Sequence, residues 1–377
     1  LRVRLLEAEG VASGASGAAA GMLAPISEAD APGPMLDLGL ESLARFDGLC
    51  ARLKDETGID PELERSGLFS VAAGAAEIEA LRQRHRRLVA SAVPASGALR
   101  ASGAMPAADE ALAPEDLEWI DAAALRAELP SLAPDVSAGL YSAREKHLRP
   151  PLFARALEAS ARMRSAVIET GVRVQALRCA DDRVIGVETS AGRRTAGAVV
   201  LAAGPWTPGL LEGLTARLDL ARPLEIEPVR GQILLLEPPL PTHRAILWGA
   251  GIYLVPKRDG SWIVGATEER VGFDRRVTAE GVGELLSRAR RLVPELAEAG
   301  FGTAWAGLRP VSRDGLPWIG PLPGARGLHI AAGHGRNGVL LAPITAERIR
   351  DAVLDKTVSP PADRPFADGP TAAPTPS

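Results

Sequence analysis

Residues 1–23 read "LRVRLLEAEGVASGASGAAAGML", and their pattern indicates the class of fold. Its first residues alternate and end in an apolar pair, which is typical of a β-strand, and a loop of glycine, serine and alanine follows. The carboxylate Glu7 stands at the end of that strand. In dinucleotide-binding βαβ units a carboxylate at this place binds the ribose hydroxyls of an adenosine. The stretch is therefore typical of the second half of such a unit.

The first half of the unit would precede Leu1, where the sequence starts. In the doubly wound order its strand is central, so its loss would leave two neighbouring strand edges and the diphosphate site without support. We therefore expect the sequence to be an N-terminally truncated copy of a longer protein, with about 30 residues upstream.

Length and composition narrow the class of protein. The 377 residues allow two or three domains, and 46% hydrophobic and 24% charged residues are ordinary globular values. The net charge of −4 gives no positive field that would recruit nucleic acid. Two cysteines, Cys50 and Cys179, are too few for a disulfide framework or a thiolate metal site, which favours a reducing, cytoplasmic location and no metal.

Hydrophobic periodicity predicts the main elements. Helices are expected over residues 36–54, 152–164 and 281–296, and a strand meander over 169–192. Residues 194–206 are a continuous apolar run ending in small residues, typical of one fully buried parallel strand. The segment 252–267 contains Asp259-Gly260 between two apolar runs, which predicts a hairpin. We expect a strand, a turn and a helix over 327–354, a flexible surface insertion at 92–114 and a disordered tail at 359–377.

The motif G-x-G-x-x-G occurs at residues 333–338, after a predicted strand and before a predicted helix. A dinucleotide fingerprint needs about 20 further residues and then an acidic ribose ligand, and the chain beyond Gly338 offers one helix and a proline-rich tail. The motif is therefore interpreted locally: its glycines let a ligand approach the backbone, and the helix start offers N–H donors.

The whole chain resembles the FAD-dependent D-amino-acid oxidase superfamily, and within it looks most like the bacterial glycine oxidases of thiamine biosynthesis. Six segments in the same order carry the resemblance: "LLEAEGVASGASGAAAGML", "VVLAAGPWTPGLL", "PVRGQILLL", "YLVPKRDGSWIVGAT", "AWAGLRPVSRDGLPWIGP" and "HIAAGHGRNGVLLAP". It implies an α/β two-domain flavoprotein. A Rossmann-like FAD-binding domain, lacking its first β-α unit, would comprise 1–35, 140–225 and 303–358. An antiparallel-sheet substrate domain would comprise 36–139 and 226–302.

The resemblance also implies which residues bind FAD non-covalently. Glu7 would bind the adenosine ribose, with Ala8 beside it also binding the cofactor, and Val174 would contact the adenine through its backbone. The pyrophosphate and flavin would be lined by Ala15, Ser16, Ala20, Gly21 and Met22, and Gly204 with Trp206 would close the strand end beside the cofactor. The isoalloxazine ring would be surrounded by His334, Gly335, Asn337, Gly338, Val339 and Leu340. A helix start at the last of these segments would stabilise negative charge on the reduced ring.

For the substrate the resemblance implies Arg309 and Tyr253, with Arg336 close by. A planar guanidinium can hold a carboxylate through two parallel hydrogen bonds. Arg309 lies in "AGLRP", among small and apolar residues that indicate burial, and a buried arginine requires an anion. Glu268, which follows "VGAT", departs from the apolar residue that the resemblance leads us to expect there. A carboxylate facing the substrate amine would favour a cationic or larger amine over glycine.

The activity implied is oxidative deamination of a small amino acid or secondary amine by hydride transfer to flavin N5. Dioxygen or a quinone would reoxidise the flavin, and no catalytic acid or base stands out in the sequence. Partners would be the amine, the electron acceptor and further copies of the chain in a homo-oligomer. Two alternatives are a non-catalytic relic without flavin and the flavin module of an enzyme that modifies wobble uridine in tRNA. The second of these would need a basic face.

Overall fold

The computed structural model describes residues 1–92, 112–214, 216 and 218–354. The architecture is mixed α/β, as predicted. The helices are α1 (Ala15–Ala18), α2 (Pro25–Glu28), α3 (Pro34–Leu43), α4 (Phe46–Thr57), α5 (Gly74–Ala92), α6 (Ala122–Glu128), α7 (Pro150–Met163), α8 (Thr207–Leu211), α9 (Ala279–Leu292) and α10 (Ala342–Val353). The strands are β1 (Arg4–Glu7), β2 (Met22–Leu23), β3 (Leu68–Ala73), β4 (Glu118–Asp121), β5 (Val136–Ser142), β6 (Lys146–His147), β7 (Val167–Thr170), β8 (Val174–Ala180), β9 (Arg183–Thr189), β10 (Gly192–Thr195), β11 (Val199–Leu201), β12 (Ile226–Glu237), β13 (Ile246–Gly249), β14 (Ile252–Pro256), β15 (Trp262–Gly265), β16 (Gly300–Ser312), β17 (Trp318–Pro321) and β18 (Leu328–Ala332).

The largest sheet has eight strands in the order β16-β12-β15-β14-β13-β3-β5-β4. Its neighbours pair antiparallel, except that β13 runs parallel to β3. The predicted hairpin is confirmed, since Asp259 and Gly260 form the turn between β14 and β15 and the Lys257 N–H donates to the Ser261 carbonyl at 2.8 Å. One face of this sheet packs against α9 in a core that includes Leu285, Trp262 and Leu292.

The remaining strands form sheets of two or three strands. β1 pairs in parallel with β7, and β11 pairs in parallel with β18, which is also antiparallel to β17. The predicted meander is confirmed in β8 and β9, which turn at Asp181 and Asp182. The single buried strand expected over residues 194–206 is wrong. That run divides into β10, the three-residue β11 and a 3₁₀ turn at Gly204–Trp206, and Val200 on β11 is 41% exposed.

The helix expected over residues 36–54 is also divided, into α3 and α4. The break lies at Ala44 and Arg45, where the Arg45 guanidinium donates to the Glu41 carbonyl and the Ser42 hydroxyl donates to the Leu340 carbonyl at 2.6 Å. The side chain of Arg45 thus occupies the Glu41 carbonyl, to which the backbone N–H of Arg45 would donate in a continuous helix. The helices expected at 152–164 and 281–296 are confirmed as α7 and as α9 followed by a 3₁₀ turn.

Helices α3, α4, α7 and α10 share a second core. Phe46 on α4 and Phe153 on α7 lie with ring centroids 5.8 Å apart, beside Leu341 and Ile344. The segment predicted at 327–354 is confirmed as β18, a 3₁₀ turn and α10. The domain boundaries given above stay a prediction, although the strands of the large sheet come from 68–142 and 226–312.

The predicted insertion at 92–114 lies almost wholly outside the described residues, and the predicted tail at 359–377 lies entirely outside them. Within the described ranges, every helix is too short or too polar to cross a membrane.

Candidate active site

A cleft of about 2290 Å³ runs between the loops that follow β1 and one face of the large sheet. Nearly all the predicted site residues line it: Glu7, Ala8, Ala15, Ser16, Ala20, Gly21, Met22, Val174, Gly204, Trp206, Tyr253, Glu268, Arg309, His334, Gly335, Arg336, Gly338 and Val339. Residues from distant parts of the sequence are therefore brought to one cavity.

One end of the cleft is bounded by the carboxyl end of β1. The Glu7 carboxylate accepts the backbone N–H of Glu9 at 3.0 Å. Small residues of α1 and of the loop after it form the adjoining wall. Gly21 has a φ of +85°, and a Cβ there would overlap the Leu148 carbonyl, so only glycine fits this turn.

The floor at the other end is the face of β16, β12, β15 and β14. Arg309 stands on β16, and its guanidinium lies across Gly231 on β12. Tyr253 on β14 lies in the same way across Gly265 on β15, the residue it pairs with. A Cβ on either glycine would overlap the side chain above it. The two glycines therefore provide the space in which the arginine and the tyrosine lie flat.

Arg309 is oriented by backbone carbonyls. Its Nη1 donates to the Thr267 carbonyl at 3.0 Å. Across the part of the chain that the structure describes, no carboxylate lies within ion-pair distance of this guanidinium. Burial raises the pKa of the Tyr253 hydroxyl, while Arg309 opposes the shift, so the hydroxyl keeps its proton at neutral pH. Together they present donors to the cleft.

The segment after β18 closes the cleft above that floor. Burial lowers the pKa of His334 to about 4, so its imidazole is neutral, and its Nε2 lies 3.1 Å from the Thr345 hydroxyl. The structure brings only some of the residues predicted to surround the ring to this cleft. Asn337 and Leu340 do not line the cleft but a second cavity of about 320 Å³. The 3₁₀ turn at Gly335–Asn337 directs them away, and Leu340 packs among α3, α4 and α7.

Arg336 pairs with a residue that sequence reasoning missed. Its Nε lies 2.7 Å from Oε2 of Glu28, whose side chain is 8% exposed. The guanidinium also lies 5.5 Å from the Trp248 ring centroid, on the cleft wall. The signal in the sequence that could have identified Glu28 is its position as the one glutamate in the mostly small and apolar run "AAAGMLAPISEAD".

The mouth of the cleft carries exposed charges and aromatic rings. Glu268 is exposed there, whereas the next residue, Glu269, turns inward to pair with Arg230. The loop after it contacts the opposite side of the cleft, since Arg275 pairs with Glu9 at 3.0 Å. Phe273 of the same loop stacks on Trp206 with ring centroids 5.5 Å apart.

Two buried ionisable groups support the wall. Nζ of Lys257 donates to the Ala20 carbonyl at 2.8 Å and to the Leu148 carbonyl at 2.9 Å, and burial lowers its pKa to about 7. The Glu145 carboxylate accepts the N–H and the hydroxyl of Ser27, both at 2.5 Å, and burial raises its pKa to about 7. These contacts fix the segment that runs from Ala20 to Glu28.

The chemistry of the lining fits a flavin dinucleotide. A volume of 2290 Å³ exceeds the 300–1,000 Å³ usual for small ligands. The Glu7 carboxylate could accept hydrogen bonds from the hydroxyls of a ribose, and the long wall of glycine and alanine leaves the cavity open to a flat, extended group. Within the described ranges, no group of three histidine, cysteine or acidic residues could hold a metal ion.

Comparisons with known proteins agree with this description. The family model described as FAD dependent oxidoreductase (DAO) matches residues 1–352. The glycine oxidase of Geobacillus kaustophilus is 34% identical over 357 residues, which cover 94% of this chain and 87% of that protein. The crystal structure of glycine oxidase from Geobacillus kaustophilus superposes with a TM-score of 0.82 at 32% identity, over 95% of this chain and 89% of that one.

A bifunctional protein ThiO/ThiG of Synechocystis is 35% identical over 354 residues, or 93% of this chain. The match covers 47% of that protein, so the chain spans about half the length of this relative.

Proposed function

We propose that this chain deaminates a small amino acid or secondary amine, since it belongs to the FAD dependent oxidoreductase (DAO) family and is an FAD-dependent amino-acid oxidase of the glycine oxidase type. The observation that carries the proposal is the guanidinium of Arg309, which lies on the cleft floor without a carboxylate partner among the described residues. It is available for the carboxylate of a substrate.

Arg309 and Tyr253 hold that carboxylate in our proposal. The guanidinium supplies charge-assisted hydrogen bonds, and the protonated Tyr253 hydroxyl adds a donor. Because both side chains lie flat on glycines, the substrate is held against the floor with its α-carbon toward the cavity. Arg336 and Glu268 face the remainder of the substrate, and Glu268 favours a cationic or larger amine.

FAD is held non-covalently by the residues lining the other end and the roof. Glu7 binds the ribose hydroxyls, while Ala8, Ala15, Ser16, Ala20, Gly21, Met22 and Val174 surround the rest of the dinucleotide. Gly204, Trp206, His334, Gly335, Gly338 and Val339 surround the ring. When bound, FAD supplies the hydride acceptor at N5. The neutral His334 leaves the ring's surroundings without a permanent imidazolium charge.

The overall reaction converts the amino acid to an imine, which water hydrolyses to an oxo acid and ammonia, or to an oxo acid and a primary amine when the substrate is a secondary amine. Dioxygen accepts the two electrons and becomes hydrogen peroxide, or a quinone is reduced instead. The similarity to ThiO/ThiG supports a place in thiamine biosynthesis, in making the thiazole. A homo-oligomer and a cytoplasmic location complete the proposal.

A substrate panel tests it. The protein is purified, its absorption near 450 nm is recorded, and peroxide formation is measured with glycine, sarcosine, D-alanine and a larger cationic amino acid. We expect flavin absorption and turnover of at least one of these, with a parallel assay using a soluble quinone to identify the acceptor. If none of these compounds bleaches the flavin under anaerobic conditions, the proposed substrate class is wrong.

A further inference from the structure

Glu28 is a buried carboxylate in the wall of the active-site cleft, and the reaction proposed above gives it no task. It ends the short helix α2 and lines both the main cleft and the smaller cavity of about 320 Å³. Its side chain is 8% exposed. Such a charge needs a compensating group nearby.

The compensating group is Arg336. Nε of Arg336 lies 2.7 Å from Oε2 of Glu28, although the N–H is not aligned for a hydrogen bond to that oxygen. The remainder of the guanidinium, whose side chain is 52% exposed, reaches the cleft beside Trp248. Burial raises the pKa of Glu28, and Arg336, Asn337 and Arg309 oppose this rise. Arg336 is the group in ion-pair contact and opposes the rise most strongly, so it contributes most to keeping Glu28 negatively charged.

The inner part of the cleft contains the guanidiniums of Arg309 and Arg336, and among the described residues only that of Arg309 has no anionic partner. Arg309 is bound by carbonyl oxygens, whereas Arg336 is already paired with an anion. One substrate carboxylate can bind at Arg309 without displacing any charge. A second carboxylate would have to compete for Arg336 and would leave Glu28 buried without its counter-ion.

We propose that Glu28 determines specificity by occupying Arg336, so that the site accepts amino acids with one carboxylate and discriminates against amines that carry two. The inference rests on the proposed function, since it assumes a carboxylate-bearing substrate at Arg309. It assigns to the Glu28–Arg336 pair a role in excluding substrates. Replacing the carboxylate by its neutral isostere frees Arg336 to bind a second substrate carboxylate.

Two unreactive ethers provide a matched pair of probes. Methoxyacetate has the shape of sarcosine with one carboxylate, and oxydiacetate has the same ether oxygen between two carboxylates. Their dissociation constants are measured on the flavin-containing protein from the change in its visible spectrum. We expect the wild-type protein to bind methoxyacetate more tightly than oxydiacetate, and Glu28→Gln to shift the ratio of the two constants toward oxydiacetate by about tenfold or more.

The matched control is Glu284→Gln. Glu284 also lines the cleft and pairs with an arginine, Arg288, at 2.6 Å, but the pair is exposed on α9. Its substitution should leave the ratio unchanged. Glu28→Asp, which withdraws the carboxylate by one methylene, should give an intermediate ratio and serves as the test if the glutamine variant does not fold.

Catalysis provides a second readout. The ratio of kcat/KM for iminodiacetate to that for sarcosine should rise in Glu28→Gln by a factor similar to the binding ratio. If both ethers weaken by the same factor, or the ratio stays at its wild-type value, Glu28 does not set specificity and the inference is overturned. Failure of methoxyacetate to bind the wild-type protein, together with no turnover of any amine, would instead contradict the proposed function itself.

Discussion

The guanidinium of Arg309 lies directly over Gly231, and a Cβ on residue 231 would overlap its Cζ, Nη1 and Nη2. Gly231 has no positive φ, so the requirement for glycine here is one of space alone. The position of Arg309, the proposed carboxylate anchor, therefore depends on the absence of a side chain at Gly231 on the neighbouring strand β12.

Gly231→Ala should displace the guanidinium without removing it. We expect KM for the preferred amino acid to rise about tenfold, equivalent to roughly 1.4 kcal/mol, while kcat changes less. Steady-state kinetics measure both constants. Gly283→Ala is the control, because a Cβ at this exposed position of α9 meets no atom within 4 Å. An unchanged KM in the first variant would mean that Arg309 does not bind substrate in the orientation described.

Arg309→Ala removes the anchor itself. Since two charge-assisted hydrogen bonds are lost, kcat/KM should fall by about 100-fold or more, with the flavin absorption maximum retained. Arg313→Ala, which removes an exposed arginine paired with Glu225 and outside the cleft, should retain wild-type kinetics. Wild-type kcat/KM in Arg309→Ala would exclude this residue from substrate binding.

Glu268→Met removes an exposed carboxylate at the cleft mouth. We expect the ratio of kcat/KM for glycine to that for 2,3-diaminopropionate to rise up to about fivefold, because exposed charge pairs contribute below about 1 kcal/mol. Glu298→Met, on an exposed 3₁₀ turn outside the cleft, is the matched control. Identical substrate profiles for the two variants would show that Glu268 does not face the substrate.

Lys257→Met removes the ammonium that ties the carbonyls of Ala20 and Leu148 together. Without these hydrogen bonds the segment around Ala20, which is part of the wall proposed to bind the cofactor, is held less firmly. The dissociation constant of FAD should therefore rise about tenfold. Fluorescence titration of the apoprotein measures it. Arg258→Met changes the neighbouring surface residue, whose partners are Asp60 and Glu64, and should not affect FAD binding. Equal FAD affinity in both variants would argue against this role of Lys257.

Glu145→Gln tests a pH dependence of stability. Burial raises the pKa of Glu145 to about 7 in the folded protein, above the ordinary value of 4.5, so the folded state binds the proton more tightly than the unfolded state. Its contribution to stability is complete below pH 4.5 and is lost as the pH rises through about 7.

The loss amounts to about 3 kcal/mol in the wild-type protein. Chemical denaturation at pH 5 and pH 8 should therefore show a smaller fall in the free energy of unfolding for Glu145→Gln than for wild type. Parallel pH profiles in the two proteins would contradict the prediction. Glu118→Gln, on the exposed edge strand β4, is a suitable control.

Much of the fold follows from local patterns in the sequence. Asp259-Gly260 defined a hairpin because turn chemistry is local, and the apolar period of three to four residues located α7 and α9. The division between α3 and α4 could not be found in this way. It lies where the Arg45 side chain occupies the Glu41 carbonyl in place of a backbone N–H, and where Ser42 reaches a carbonyl 298 residues along the chain.

The candidate site shows the same limit. Arg309, Tyr253 and Glu7 could be selected from the sequence because the motifs that carry them are contiguous, and all three line the cleft. The position of Asn337 and Leu340 outside the cleft could not be predicted, because one turn of 3₁₀ helix alters the side on which each residue emerges. Glu28 was missed because only the tertiary fold brings it beside Arg336, and Lys257 was not distinguished from the surface arginine that follows it.

The glycines beneath Arg309 and Tyr253 have a consequence for redesigning the enzyme. A Cβ on Gly231 or Gly265 would overlap the guanidinium or the ring above it, so a substitution at either glycine would displace a side chain of the proposed substrate site. The wall that carries Trp248, Arg336 and Glu268 belongs to other strands and loops. Trp248 and Glu268 can be exchanged singly, whereas Arg336 should be varied together with its partner Glu28. Libraries intended to broaden the range of amines should therefore leave Gly231 and Gly265 fixed and vary that wall.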